Sequence, residues 1–200
     1  MTIVKICGLT REQDIDFANE VLPEFIGFVF YPPSKRYVDR DTAAKLKERL
    51  DYRIAAVGVF VDEEPDVIAE LVRSEIIDVV QLHGNEDNEY ISRLRGLCEC
   101  PLIQAFRVGS KEDIERAMGS DADFILLDSG MGSGISFDHS IIKDFGRPYF
   151  LAGGLDAESV GKAVRSLRPY AVDASSSLET NGYKDIDKMK AFTHAARKGK

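Results

Sequence analysis

Two side chains able to move protons stand where apolar strands run out into loops. Cys7 ends the run Ile3-Val4-Lys5-Ile6-Cys7, and Gly8 breaks the strand directly after it. Asp128 ends the apolar run Phe124-Ile-Leu-Leu127. An ionised thiol serves as a base or nucleophile, and a carboxyl serves as an acid or a base. Asp128 has a second reading, as a cap for the glycine-rich loop Ser129-Gly-Met-Gly-Ser-Gly134 that follows it. In parallel barrels the C-terminal ends of strands are where catalytic groups collect.

Other residues are placed to assist. Side chains alternate in and out along a strand, so an inward Cys7 takes Lys5 and Ile3 inward with it. A lysine inside a barrel needs an anion, and Asp173, near the end of the last strand, is the obvious one. That pair reads as a closure of the barrel; it also reads as a means of lowering the Cys7 pKa, and both can hold. Gly153-Gly154 and Ser175-Ser176-Ser177 follow the seventh and eighth strands. Those loops are the usual phosphate cradle of a (β/α)8 barrel, with backbone N–H groups and small hydroxyls close to the oxygens. Arg36 follows Pro32-Pro33 and is either a solvated arginine or a clamp for a second anionic group. His83 closes a strand and reads first as a local hydrogen-bonding group, with Gln81 pointing into the barrel.

The elements that must hold these residues alternate strand and helix. Strands are expected at residues 2–7, 24–30, 53–61, 78–82, 101–108, 123–128, 148–152 and 169–174. Helices are expected at 11–21, 39–50, from Pro65 onward, 87–97, from Ser110 onward, 138–145, 157–167 and 186–197. Continuous apolar strands between helices indicate a parallel sheet covered on both sides. Eight units in 200 residues predict one (β/α)8 TIM barrel over residues 1–200, a single α/β domain. An open doubly wound sheet is the runner-up, but only Gly8 follows the first strand where a glycine fingerprint belongs.

Composition narrows the function. The chain is 44% hydrophobic and 30% charged, with a formal net charge of −8. That charge disfavours nucleic acid and anionic membranes as partners. No apolar run reaches the roughly 20 residues of a membrane span, and no signal peptide is visible, so a cytoplasmic protein is expected. The three cysteines, Cys7, Cys98 and Cys100, have no metal spacing and form no disulfide framework.

Taken together, these motifs resemble the phosphoribosylanthranilate isomerase family of tryptophan biosynthesis, over nearly the whole chain. The resemblance rests on Lys5-Ile-Cys-Gly-Leu-Thr10, Ser34-Lys-Arg36, Gly58-Val-Phe-Val61, Gln81-Leu-His-Gly84, Leu126-Leu-Asp-Ser129, Gly132-Ser-Gly134, Ala152-Gly-Gly-Leu155 and Asp173-Ala-Ser-Ser176 with Glu179. It implies an Amadori rearrangement of a phosphoribosyl aminoaldose to a ketose, without cofactor or metal, in a monomer or homodimer. It implies Asp128 as the general acid on the ribose ring oxygen and Cys7 as the base at sugar C2. It implies Arg36 on the anthranilate carboxylate, and Gly154, Ser175, Ser176 and the following N–H on the phosphate. An acid at Asp128 would need a raised pKa. Three positions depart from the family: Ser177 where glycine is usual, His139 where tryptophan is common, and Met131 where glycine is common. Competing expectations are an aminoimidazole ribotide isomerase of histidine biosynthesis, a silent phosphosugar-binding barrel, and a thiol hydrolase with His83 as base.

Overall fold

The computed structural model describes residues 1–128, 142 and 145–199. Eight parallel strands close on themselves in chain order: β1 (Ile3–Cys7), β2 (Phe25–Val29), β3 (Ala55–Phe60), β4 (Val79–Leu82), β5 (Leu102–Arg107), β6 (Phe124–Asp128), β7 (Tyr149–Ala152) and β8 (Ala171–Ala174). The closing pairing sets Lys5 of β1 opposite Asp173 of β8. The expected barrel is therefore present. The glycine-rich loop at 129–134, the helix expected over 138–145 apart from residues 142 and 145, and positions 131 and 139 lie outside the described residues.

Seven helices of the described residues cover the outside: α1 (Glu12–Val21), α2 (Arg40–Arg49), α3 (Pro65–Arg73), α4 (Asn88–Leu97), α5 (Lys111–Met118), α6 (Val160–Leu167) and α7 (Ile186–Lys198). Their starts follow local chemistry. Asp39, Asp87 and Asp185 each accept a backbone N–H of the first helical turn, and Pro65 sits at the first position of α3 where no donor is needed. The helix expected over 157–167 begins three residues late. Asp156 and Ser159 bond to each other and hold 157–159 as a turn first.

Two apolar layers result. The larger fills the space between strands and helices, with Ile6, Phe28, Phe60, Ile125 and Phe192 all fully buried. The smaller fills the barrel itself, from Val57, Val79, Ile103, Leu126, Phe150 and Ala171 up to Cys7, Val59, Ala105 and Ala152. Into this inner layer the strand alternation also delivers Lys5, which is 0% exposed. Its Nζ meets Asp173 Oδ1 at 3.1 Å. Burial works against the ammonium, but Asp173 and Cys7 outweigh it and raise the Lys5 pKa, so the charge is kept.

Among the described residues, no helix is long and apolar enough to cross a membrane.

Removing one partner of a buried pair leaves the other charge without compensation, whereas removing both does not. Lys5→Met should therefore cost about 3–5 kcal/mol in urea unfolding. Lys5→Met with Asp173→Leu should recover most of that loss. A double variant as unstable as the single would show that the pair does not hold the seam of the barrel.

Candidate active site

A cavity of about 310 Å³ opens at the C-terminal ends of the strands. Cys7 of β1, Gln81 and His83 after β4, Asp128 of β6, Gly153-Gly154 after β7, Asp173 of β8 and Ser175–Ser177 after it all line this cavity. Arg36 lines it too, with Val29, Tyr31, Val59 and Val61 forming an apolar wall on the same side. Of the residues singled out in the sequence, Lys5 alone lies below the floor, bonded to Asp173.

Cys7 owes its room to two glycines. On the neighbouring strand Gly27 faces it in register, and a Cβ there would stand 2.6 Å from the Cys7 sulfur. Gly8 has φ +80°, and a Cβ there would collide with Arg36 Cδ. The chain can thus leave β1 sharply and let Arg36 lie across the turn. Burial pushes the Cys7 thiol up, Lys5 and Lys184 pull it down, and Asp173 adds to the rise; the pKa ends above its usual value. The expectation of a lowered pKa is corrected. The Lys5 ammonium acts in the expected direction, but it is also committed to Asp173, and desolvation of a buried thiolate is the larger effect.

Gln81 is buried, and its Nε2 lies 2.9 Å from His83 Nδ1. The loop beyond is fixed by Glu86, whose carboxylate accepts the N–H groups of Asp62 and Gly84 at 2.8 Å each. A Cβ on Gly84 would meet Asp62 N at 2.7 Å, which is why a glycine follows the histidine. His83 is exposed. The surrounding walls nevertheless desolvate its cation and, with Lys5, push its pKa below the usual value.

The phosphate segments differ in detail from the sequence-based picture. Gly153 and Gly154 have φ of 104° and 69°, a region that L side chains avoid. Ser176–Leu178 forms a single 3-10 turn at the end of β8. Two of the three serine hydroxyls, however, are engaged. Ser175 Oγ donates to Cys7 O at 2.9 Å, and Ser177 Oγ donates to Leu155 O at 2.5 Å. A phosphate needs donors, so backbone N–H groups and the Ser176 hydroxyl are what this segment has to offer. Ser177 is not among the residues with positive φ, so the turn accepts its Cβ without strain and gains a tie to the loop after β7.

A two-stranded hairpin, β9 (Glu179–Thr180) and β10 (Tyr183–Lys184), has no counterpart in the sequence-based assignment. Its signal was Asn181-Gly182, whose φ values of 54° and 82° suit a type I′ turn. The hairpin brings Glu179 onto Arg36, with Nε–Oε1 at 2.6 Å, and Lys184 Nζ onto Glu179 at 2.7 Å. Cys98 and Cys100 are elsewhere, after α4, with their sulfurs 3.9 Å apart.

Comparison with known proteins agrees with this geometry. The family model of N-(5'-phosphoribosyl)anthranilate (PRA) isomerase matches residues 4–195. The N-(5'-phosphoribosyl)anthranilate isomerase of Endomicrobium trichonymphae is 45% identical over 194 residues, covering 94% of this chain and 95% of its own. That of Caldanaerobacter subterraneus is 42% identical, covering 98% of each chain. The phosphoribosyl anthranilate isomerase structure from Thermotoga maritima superposes with a TM-score of 0.90 at 39% identity, covering 98% of this chain and 99% of that one. A family model over almost the full length and relatives above 40% identity leave one assignment: this chain belongs to the N-(5'-phosphoribosyl)anthranilate isomerase family.

Proposed function

We infer that this chain isomerises N-(5-phosphoribosyl)anthranilate to 1-(2-carboxyphenylamino)-1-deoxyribulose 5-phosphate, a step of tryptophan biosynthesis, with Asp128 as general acid and Cys7 as general base. The observation that carries the reading is that Cys7 and Asp128, from β1 and β6, line one cavity together with Arg36, Gly153-Gly154 and Ser175–Ser177. A solved neighbour at 38% identity is described in complex with reduced 1-(o-carboxyphenylamino)-1-deoxyribulose 5-phosphate, which supports the same substrate class. A dimeric phosphoribosylanthranilate isomerase is described from Thermotoga maritima, which supports a homodimer as the assembly.

The cavity sorts the substrate by its ends. The dianionic phosphate meets the backbone donors near Gly154 and Ser176, between β7 and β8. The anthranilate ring lies against Val29, Val59 and Val61, with its carboxylate toward Arg36. The ribose then spans the mouth between sulfur and carboxyl. Asp128 gives a proton to the ring oxygen, and the ring opens to a protonated Schiff base. That cation acidifies the hydrogen on C2, so a moderate base suffices, and Cys7 takes it. The resulting enolamine gains a proton at C1 while its C2 hydroxyl loses one and becomes the ketone. The thiol gives up the proton it took and the Asp128 carboxylate regains the one it gave, so both groups are restored and the net change is one hydrogen moved from C2 to C1.

Both groups touch the reacting sugar, so each is needed for turnover rather than for binding. Cys7→Ser and Asp128→Asn should each lower kcat by about 10²–10⁴ with KM changed only a few-fold, as followed by the loss of substrate fluorescence. Full activity in either variant would overturn its role.

The pH dependence follows from the shifted groups. The active form carries a thiolate and a protonated acid, so kcat/KM holds level until Cys7 is fully ionised and falls beyond. Because burial raises the Cys7 pKa, the alkaline limb should lie above the ordinary thiol value of about 8.5. The limb should vanish in Cys7→Ser. His83, with its pKa depressed, is already neutral at pH 7, so the profile should show no step near about 6.5. A step there that His83→Asn abolishes would contradict the assignment of His83 as a neutral wall residue.

A further inference from the structure

Arg36 faces the cavity with part of its guanidinium already bonded. Nε and Nη2 meet the two oxygens of Glu179 at 2.6 and 2.9 Å. This side-on contact uses one edge of the planar fork and leaves the terminal edge for a second carboxylate. Glu179 is in turn bridged to Lys184, whose side chain is 1% exposed. Lys184 Nζ also donates to Ser175 O at 3.1 Å, the residue whose hydroxyl holds the Cys7 carbonyl.

The hairpin carrying both residues is fixed on two sides. The Arg11 guanidinium lies 4.1 Å above the Tyr183 ring, and Asp185 caps α7 immediately after β10. Charge explains why two residues are present. Glu179 alone would neutralise Arg36 and weaken its pull on another anion. With Lys184 added, the three side chains carry a net charge of +1 (two cations and one anion), so the cluster is both rigid and attractive to a carboxylate. With Lys184 and Glu179 nearly buried and only Arg36 partly exposed toward the cavity, the cluster is unlike a surface ion pair, which is screened and contributes little.

We propose that Glu179 and Lys184 are positioning residues for the carboxylate end of the substrate: they lock Arg36 in place and keep the local charge positive. The proposal rests on the assignment of Arg36 to that carboxylate. Neither residue touches the sugar, so their loss is read in binding of one end of the substrate and not in proton transfer.

The test compares Glu179→Gln, Lys184→Met and the double variant with the parent, using anthranilate and inorganic phosphate separately as competitive inhibitors. Glu179→Gln should raise KM and the anthranilate inhibition constant together by about tenfold, with kcat held within about threefold. The inorganic phosphate constant should not move. The double variant, which leaves no buried charge uncompensated, should melt near the parent temperature and still bind anthranilate poorly. Equal weakening of anthranilate and phosphate, no weakening of either, or a double variant with parental KM would each overturn the proposal. Failure of the underlying assignment reads differently: Arg36→Ala would then leave anthranilate inhibition unchanged.

Discussion

The active site depends on an ion pair beneath it. Lys5 and Asp173 face each other across the β1–β8 seam, where the barrel closes; Lys5 is wholly buried and Asp173 nearly so, at the floor of the cavity. An unpaired charge at that depth is costly, so each residue requires the other, and the requirement fixes the register in which the last strand meets the first. A slip by one residue would turn Lys5 outward and take Cys7 with it. The pair that seals the fold therefore also decides which way the thiol points.

Above that pair, small residues make the room that the chemistry needs. Gly27 yields space to the Cys7 sulfur, and Gly8 yields space to Arg36. Two of the serines after β8 line the cavity and also hold loops together. Ser175 ties the end of β8 to β1, and Ser177 ties it to the loop after β7. Backbone N–H groups are thus presented by a framework that its own side chains keep in shape. Such a framework stabilises a developing charge without reorganising during the reaction.

Much of this was legible in the sequence because continuous apolar runs, glycine breaks and helix caps are local signals. Alternation along β1 and β8 was enough to place Lys5, Cys7 and Asp173 on one inner face. The position of Asp128 at a strand end was enough to place it at the mouth. What stayed hidden depends on long-range packing. The net rise in the Cys7 pKa reflects how many atoms surround it, which no spacing reveals. The engagement of the Ser175 and Ser177 hydroxyls depends on carbonyls from distant strands. The bridge from Arg36 through Glu179 to Lys184 joins residues up to 148 positions apart (184 − 36 = 148). Only its turn, Asn181-Gly182, left a local mark.

The central claim is that an acid and a base act in sequence from opposite walls of one cavity, the acid opening the ring before the base takes the C2 hydrogen. Substrate deuterated at sugar C2 tests this most directly. In Cys7→Ser, hydrogen removal becomes slow, and kcat should show a full primary isotope effect. In Asp128→Asn, ring opening becomes slow, and the effect should fall close to unity. Equal isotope effects in the two variants, or the reverse order, would contradict the division of labour between the sulfur and the carboxyl.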